Sequence, residues 1–301
     1  RVLDLERCEI QTETANSILQ TTSRIARTSE RPAWNPRDHT GFWRFLIVRH
    51  ALGTDSYLAH LVVSEDDRPR LDEWAEALVA AHPEVTSVSA GISNRVADTS
   101  EGAELVHLRG ETGLIERVAG LSFEIAPQAF FQPNSHTAAI LFDIVTDFAG
   151  LSEGDSVVDL FCGTGTLALG LARAGGRVRG YELSEPAVLC ARRNAECNGL
   201  AERAQFEVRD LMKQVDSDMM HAEDVVVTDP PRAGMHDRAV RALIAARPRR
   251  IVHVGCNPKT QARDLAVLVR DGGYRIGRAV AVDQFPHTAH VECVVRLDQR
   301  P

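Results

Sequence analysis

No stretch of this 301-residue chain approaches about 18 apolar residues without a charge, so no membrane-spanning helix is expected. The chain does not open on a basic segment followed by an apolar run, so no signal peptide is read there. Its first residue is Arg1, not Met, and a processed or trimmed chain is expected. The six cysteines are scattered without paired spacing, which makes no disulfide framework and suits a reducing, cytoplasmic setting. Positive charge is in deficit: 34 Lys and Arg against 42 Asp and Glu leave a net charge of −8. That balance excludes a protein that coats nucleic acid non-specifically, because such binding rests on neutralised phosphates. Local basic clusters remain at Arg241, Arg247, Arg249 and Arg250 and at Arg192 and Arg193, and a solvated helix face or element end accounts for each. Internal repeats and low-complexity tracts are also missing.

What is present is a globular composition, 44% hydrophobic and 25% charged, in a chain long enough to hold a core without disulfide or metal. At roughly 100–200 residues per domain the length suggests two domains. The pattern changes near residue 125. Before it come strand-like runs at Trp43–Val48, Tyr57–Val63, Val85–Ala90 and Glu104–Leu108. A helical pattern over 70–81 carries Leu71, Trp74, Leu78 and Val79 on one face, and 31–40 reads as a loop. This is the signature of an α+β domain over 1–125. After it, helices and short apolar strands alternate. Ile140, Leu141, Ile144, Val145 and Phe148 mark a helical face. Strands are expected at 156–161, 177–181, 205–208, 225–228 and 251–254, with helices at 166–174, 186–198 and 261–269. Such alternation implies an α/β domain over 126–301, a parallel sheet covered on both faces whose site lies at the carboxyl ends of its strands.

Four motifs fall at those ends. Asp159-Leu-Phe161-Cys-Gly163-Thr-Gly165-Thr166 follows a strand and opens a helix, where glycines let the backbone turn and approach a ligand. Glu182 comes one residue after the next strand and can hold ribose hydroxyls. Dinucleotide and S-adenosylmethionine sites share this arrangement, and Asp159 tilts the reading to the second. Asp229-Pro230-Pro231-Arg232 must break the chain at the sheet edge and presents Asp229 there. Cys256, in Gly255-Cys-Asn-Pro258, lies at a strand end and a helix start, where the dipole and a nearby cation favour thiolate. Cys190, Cys197 and Cys293 read instead as small buried hydrophobes. Glu292 stands in the apolar run Val291–Val295, where burial would raise its pKa and suit it to proton transfer; an outward-facing carboxylate is the alternative. His253, His287 and His290 match no zinc spacing, and no metal site is expected.

With these motifs the chain resembles the uracil-C5 RNA methyltransferase family, whose members make 5-methyluridine in tRNA or 23S ribosomal RNA. The resemblance rests on Phe130-Phe131-Gln132-Pro-Asn134, the Asp159 loop with Glu182, Asp229-Pro-Pro-Arg232, Cys256-Asn-Pro258 and His290-Val-Glu292, in that order. It implies a Rossmann-like class I methyltransferase domain behind the smaller α+β domain. It implies Cys256 as nucleophile and Glu292 as general base. Gln132, Phe161, Thr166, Glu182, Asp210 and Asp229 would contact S-adenosylmethionine or the pocket, Asp210 on the shortest motif. Phe161 keeps a family feature, since many methyltransferases have Gly there. The implied partner is RNA, with 23S ribosomal RNA favoured over tRNA, and the protein is expected to be a monomer in the cytoplasm.

Many family members also carry a small basic β-barrel and four cysteines for an iron–sulfur cluster. Neither is seen here beyond Cys8, which could be a remnant ligand, so no cluster is expected from this chain alone. Three other readings compete, one of them a non-catalytic RNA-binding module with a decayed methyltransferase core, against which the intact set of nucleophile, base and glycine loop speaks. An RNA cytosine-C5 methyltransferase shares the thiolate logic. A NAD-dependent oxidoreductase explains the glycine loop but gives Cys256 and Glu292 no role.

Overall fold

The computed structural model describes residues 5–96, 103–213, 215, 219–222 and 224–300. The chain divides into two compact units, Arg1–Arg117 with Glu124–Gln128, and Val118–Phe123 with Ala129–Pro301.

The first unit is a mixed four-stranded sheet. After α1 (Glu13–Thr28) come β1 (Trp43–Ala51), β2 (Ser56–Val63), α2 (Arg68–Ala81), β3 (Val85–Ile92) and β4 (Glu104–Gly110), and the strands lie in the order β1-β2-β3-β4. The β2–β3 pair is parallel, so the chain must cross over between them, and α2 is that crossover. Both helices bury one stripe in a shared core, with Ile18 from α1 and Leu71, Trp74 and Leu78 from α2 packed on Tyr57, Leu61 and Val88. Val79, expected on that stripe, is exposed instead, because it falls one position past Leu78 on the helical wheel. Side-chain caps set the starts: Thr12 accepts from the Ala15 amide and Asp67 from the Arg70 amide.

A short hairpin, β5 (Leu114–Val118) and β6 (Leu121–Ile125), follows. Next come α3 (Ser135–Ala149), β7 (Ser156–Leu160), α4 (Thr166–Arg173), β8 (Arg177–Glu182), α5 (Glu185–Cys197) and β9 (Ala204–Val208). The chain ends with β10 (Val225–Thr228), α6 (Asp237–Ala246), β11 (Arg250–Gly255), α7 (Pro258–Asp271), β12 (Tyr274–Val282) and β13 (Glu292–Gln299).

Seven of these strands form one sheet in the order β12-β13-β11-β10-β7-β8-β9. β7 to β11 run parallel, and β13 is antiparallel to both β11 and β12. This is the α/β, Rossmann-like arrangement expected, except that the sheet is mixed and not wholly parallel, because β12 and β13 join its edge as an antiparallel pair. The central strands are buried on both faces, which is why they read as unbroken apolar runs. Val158, Leu160, Val226, Ile251 and Leu297 meet Val240 and Leu243 of α6 and Leu265 and Leu268 of α7. The residues between them in sequence, such as Val157, Val227 and Val252, are equally buried and face the other side. Leu141, Val145 and Phe148 bury one face of α3, while Ile140 is 52% exposed and lies outside the stripe assigned to it. The chain's winding direction reverses between β7 and β10, so the crevice for a ligand opens at their carboxyl ends.

Candidate active site

At the end of β7 the backbone leaves the sheet through Phe161, which holds a left-handed φ of 68° although it is not glycine. Its amide and that of Cys162 both donate to the Tyr181 carbonyl, at 3.0 and 3.1 Å, and fix the bend. Two glycines then turn the chain into α4, for different reasons. A Cβ on Gly165 (φ 84°) would lie 3.0 Å from the Phe206 ring, whereas one on Gly163 (φ 53°) would meet nothing within 4 Å. Gly165 therefore serves packing, and Gly163 leaves its backbone open. Thr166 opens α4, whose N-cap Gly165 supplies no side-chain hydrogen bond. Glu182, the last residue of β8, is tied to this loop: one carboxylate oxygen accepts from the Gly163 amide at 3.2 Å and the other from the Ser184 amide at 2.9 Å. Lone pairs remain on both oxygens for ligand hydroxyls.

Asp159 sits on the same strand end, fully buried, and neither of its oxygens completes a hydrogen bond of ordinary geometry. Burial, then the negative charges of Asp229 and Glu182, hold its carboxyl well above the usual range, while the Ala168 amide pulls the other way. Asp229 follows β10, directly beside β7, and its amide donates to the Leu160 carbonyl at 3.3 Å. Burial raises its carboxyl to about 6, opposed by His253. Asp210 stands after β9, half-buried. Its local partners are the Met212 amide at 3.0 Å and Lys213 at 3.0 Å, and the Lys213 hydrogen bond lowers its pKa.

The other half of the edge holds Cys256 and Glu292. In the antiparallel β11–β13 ladder Gly255 pairs with Cys293, so the next residue out on each strand is Cys256 on one and Glu292 on the other. Glu292 is buried at 4% exposure, which removes the outward-facing alternative. Burial and the Asp229 charge push its carboxyl up to about 7. Cys256 is half-buried. Its thiol is raised by burial first and then by Glu292 and Asp229, with Arg232 pulling it down. The structure thus opposes the thiolate favoured in the sequence reading: burial first, and then the two acids, outweigh the Arg232 cation. The arrangement can nevertheless hold a nucleophilic sulfur and a proton acceptor side by side.

α7 anchors this half. Asn257 caps it, its side chain accepting from the Lys259 amide. The Arg232 carbonyl accepts from Asn257 Nδ2 at 3.3 Å and Thr260 Oγ1 at 3.1 Å. The Met235 amide donates to Asp264 at 2.8 Å, and Arg263 Nη2 donates to the carbonyls of Ala233 and Met235 at 3.1 Å each. The loop of Asp229 and the helix behind Cys256 therefore form one clamped piece. Gln132, buried in the approach to α3, accepts from Gln284 Nε2 at 3.3 Å. Among the expected residues, Phe161, Thr166, Glu182, Asp229, Cys256 and Glu292 gather at one sheet edge, and Asp210 lies at its far end after β9.

Sequence reasoning passed over Asp264, Arg263 and Gln284. Asp264 was hidden in the buried stripe of an ordinary helix, and a lone Gln in a loop carries no pattern. Several basic residues prove to be structural: Arg249 pairs with Asp155, Arg250 with Asp298, and Arg192 donates to the Phe206 carbonyl. Cys190 is buried as read, Cys293 is half-buried, and Cys197 is exposed because it closes the outer face of α5. His253 is buried on β11, whereas His287 and His290 are exposed in the loop before β13. Among the described residues no group of three or more His, Cys, Asp or Glu is placed to hold a metal, and no helix is long and apolar enough to cross a membrane.

A family model described as tRNA (uracil-5-)-methyltransferase matches residues 112–300. A Porphyromonas gingivalis protein described as an uncharacterized RNA methyltransferase is 37% identical over 99% of this chain and 64% of its own length. A protein of the same description from Bacteroides thetaiotaomicron is 36% identical over 100% of this chain and 66% of its own. The chain thus spans just under two thirds of these relatives. Among solved structures, the Pyrococcus abyssi tRNA (uracil-54, C5)-methyltransferase, crystallised with S-adenosyl-L-homocysteine, is 32% identical. That match has a TM-score of 0.82 and covers 99% of this chain and 70% of the other.

Proposed function

The chain belongs to the tRNA (uracil-5-)-methyltransferase family, and from that premise we propose that it methylates uridine C5 in RNA with S-adenosylmethionine as donor. The observation that carries the reading is the β11–β13 register, which sets Cys256 and Glu292 at one edge with Asp229 next to them.

The β7–β8 loop fits the donor. Gly163 leaves open space where a side chain would stand, Asp159 keeps a buried carboxyl whose oxygens complete no hydrogen bond of ordinary geometry, and Glu182 keeps free lone pairs. We assign Phe161, Thr166, Glu182, Asp210, Asp229 and Gln132 to holding it, with Glu182 on the ribose hydroxyls. Bound S-adenosylmethionine supplies an electrophilic methyl group.

The protein's own residues answer two chemical problems. Uracil C5 is a weak nucleophile. The Cys256 thiol gives up its proton to solvent, and addition of the resulting thiolate to C6 forms a C–S bond and moves the ring electrons towards C5 and the carbonyl oxygen. Asp229 and Arg232 orient the base, and the Arg232 cation offsets that charge. Once C5 carries the methyl group it also carries a proton. Glu292 takes that proton, the ring double bond re-forms, and the C–S bond breaks to return the Cys256 thiolate. A pKa of about 7 suits Glu292 to this step near neutral pH. The target base must leave its stack to reach the edge, which favours a loop uridine over a paired one.

The oxidoreductase alternative leaves Cys256, Asp229 and Glu292 without a task and falls with the family assignment. The cytosine alternative and the choice of RNA are settled by one assay. Unmodified tRNA and 23S ribosomal RNA transcripts are incubated with the protein and S-adenosylmethionine, digested, and their nucleosides weighed by mass spectrometry. Cytoplasmic RNA, met by a monomer, is the substrate setting that goes with this reading. The expected product is 5-methyluridine. 5-Methylcytidine alone would give the reaction to the rival, and the RNA that gains the mass decides between the tRNA named for the Pyrococcus neighbour and the ribosomal RNA expected from the sequence.

A further inference from the structure

Gln284 is almost fully buried, at 1% exposure, two residues beyond the end of β12. Val282, which ends β12, pairs with Glu292. Gln284 is therefore a neighbour of the base-side half of the edge. Its amide nitrogen makes two contacts, donating to Gln132 Oε1 at 3.3 Å and to the Asn134 backbone carbonyl at 3.4 Å. Its own carbonyl oxygen is buried with no partner.

The direction of this chain of bonds follows from what each group can do. A backbone carbonyl only accepts, so the Asn134 carbonyl must face the nitrogen side of the Gln284 amide; the reverse would set oxygen against oxygen. With Gln284 so fixed, its second N–H points to Gln132, which must answer with its oxygen. The Gln132 nitrogen is thereby turned away, and no described residue takes a hydrogen bond from it. A buried side chain of the proposed donor pocket thus presents a donor and not an acceptor, and a backbone atom two residues further along the chain dictates that choice.

We infer that Gln284 is a positioning residue which locks the Gln132 amide so that its N–H₂ group meets the amino-acid carboxylate of S-adenosylmethionine. This rests on the proposed function above. Along the sheet edge Glu182, at the end of β8, takes the ribose end of the donor, while the Gln132–Gln284 pair belongs with β12 and β13 on the far side of β7. The methyl group must arrive beside Cys256 and Glu292. In the donor molecule the sulfonium joins the adenosine to the amino-acid chain, so an adenosine held at β8 leaves the carboxylate on the Gln132 side. A carboxylate accepts hydrogen bonds only, which is the group a fixed amide N–H₂ selects.

The test compares binding of S-adenosylhomocysteine with that of 5′-methylthioadenosine, which keeps the adenosine and lacks the amino-acid end. Gln284→Glu is nearly isosteric, and at a pH high enough to ionise a buried carboxyl it accepts and cannot donate, so Gln132 must turn its nitrogen inwards. Calorimetry should then show S-adenosylhomocysteine binding about tenfold weaker while 5′-methylthioadenosine keeps the wild-type affinity. Gln132→Ala should weaken S-adenosylhomocysteine alike, and the double variant should be no weaker than Gln132→Ala alone. Should the melting curve show Gln284→Glu unfolded, Gln284→Met removes both donors at similar volume and should give the same selective loss. Equal weakening of both ligands, additive losses, or S-adenosylhomocysteine affinity unchanged would each overturn the inference. A wild type that binds neither ligand would instead overturn the methyltransferase reading beneath it.

Discussion

Glu292 concentrates the chemistry of the site because its neighbours make ionisation costly. It is buried beside Asp229, and its carboxyl rises from the ordinary 4.5 to about 7. In the unfolded chain the same group loses its proton near the ordinary value, so between the two the native state binds more protons. The stability this group contributes is present below pH 4.5 and is lost as pH rises through about 7. Asp229, raised to about 6, acts in the same sense. Wild-type melting temperature should therefore fall from about pH 5 to about pH 8, and Glu292→Gln, which cannot ionise, should fall less. Parallel declines in the two proteins would show that Glu292 is not perturbed. Activity should move the opposite way, rising as pH passes through about 7 and continuing to rise as the Cys256 thiol ionises, because only the ionised carboxylate can accept a proton and only the thiolate can attack. The residue types were legible in the sequence: an acid in an apolar strand, a cysteine among Gly, Asn and Pro. The balance of fields on Cys256 was not, because it depends on Asp229 and Glu292, which stand 27 positions before it and 36 after it in the sequence.

The elements show which physical signals a sequence carries. Strands buried on both faces, such as β7, β10 and β11, stood out as apolar runs and fall within a residue or two of their expected bounds. β12 did not, because seven of its nine positions are wholly or partly exposed and carry Arg275, Gly277 and Arg278. α1 was also missed: Thr, Ser and Gln dominate it, and its buried stripe contains Asn16, Thr21 and Thr22. Two tests belong to the elements. Gly163 and Gly165 share a left-handed backbone, so replacing either by Ala should cost about 1–2 kcal/mol in strain. Gly165→Ala should cost more in urea denaturation, since its methyl also meets Phe206, whereas Gly163→Ala should more strongly impair S-adenosylhomocysteine binding. Equal behaviour of the two variants would remove the distinction drawn between packing and ligand approach. Asn257→Ala should cost about 1 kcal/mol as a lost cap, and it also releases the Arg232 carbonyl. Methyl transfer should then drop further than stability alone explains, and unchanged turnover would show that the clamp between α7 and the Asp229 loop is dispensable.

For the whole molecule, charge and cysteine chemistry set the terms. With a net charge of −8 and several of its clustered arginines tied into the fold, the chain has few cations to spare for phosphates. It should bind RNA weakly, with affinity falling steeply as salt rises; tight binding at high salt by filter retention would show recognition by shape or base contacts instead. The central claim is that one sulfur attacks and one carboxylate completes the reaction, and a denaturing gel with labelled RNA tests it most directly. Cys256→Ala should form no covalent protein–RNA band and transfer no methyl group. Glu292→Gln should accumulate a band whose RNA already carries the methyl group, because proton removal is the step it lacks. Wild type should be trapped in the same way by RNA containing 5-fluorouridine, since fluorine cannot leave as a proton. A shifted band from Cys256→Ala, or full turnover by Glu292→Gln, would contradict the account.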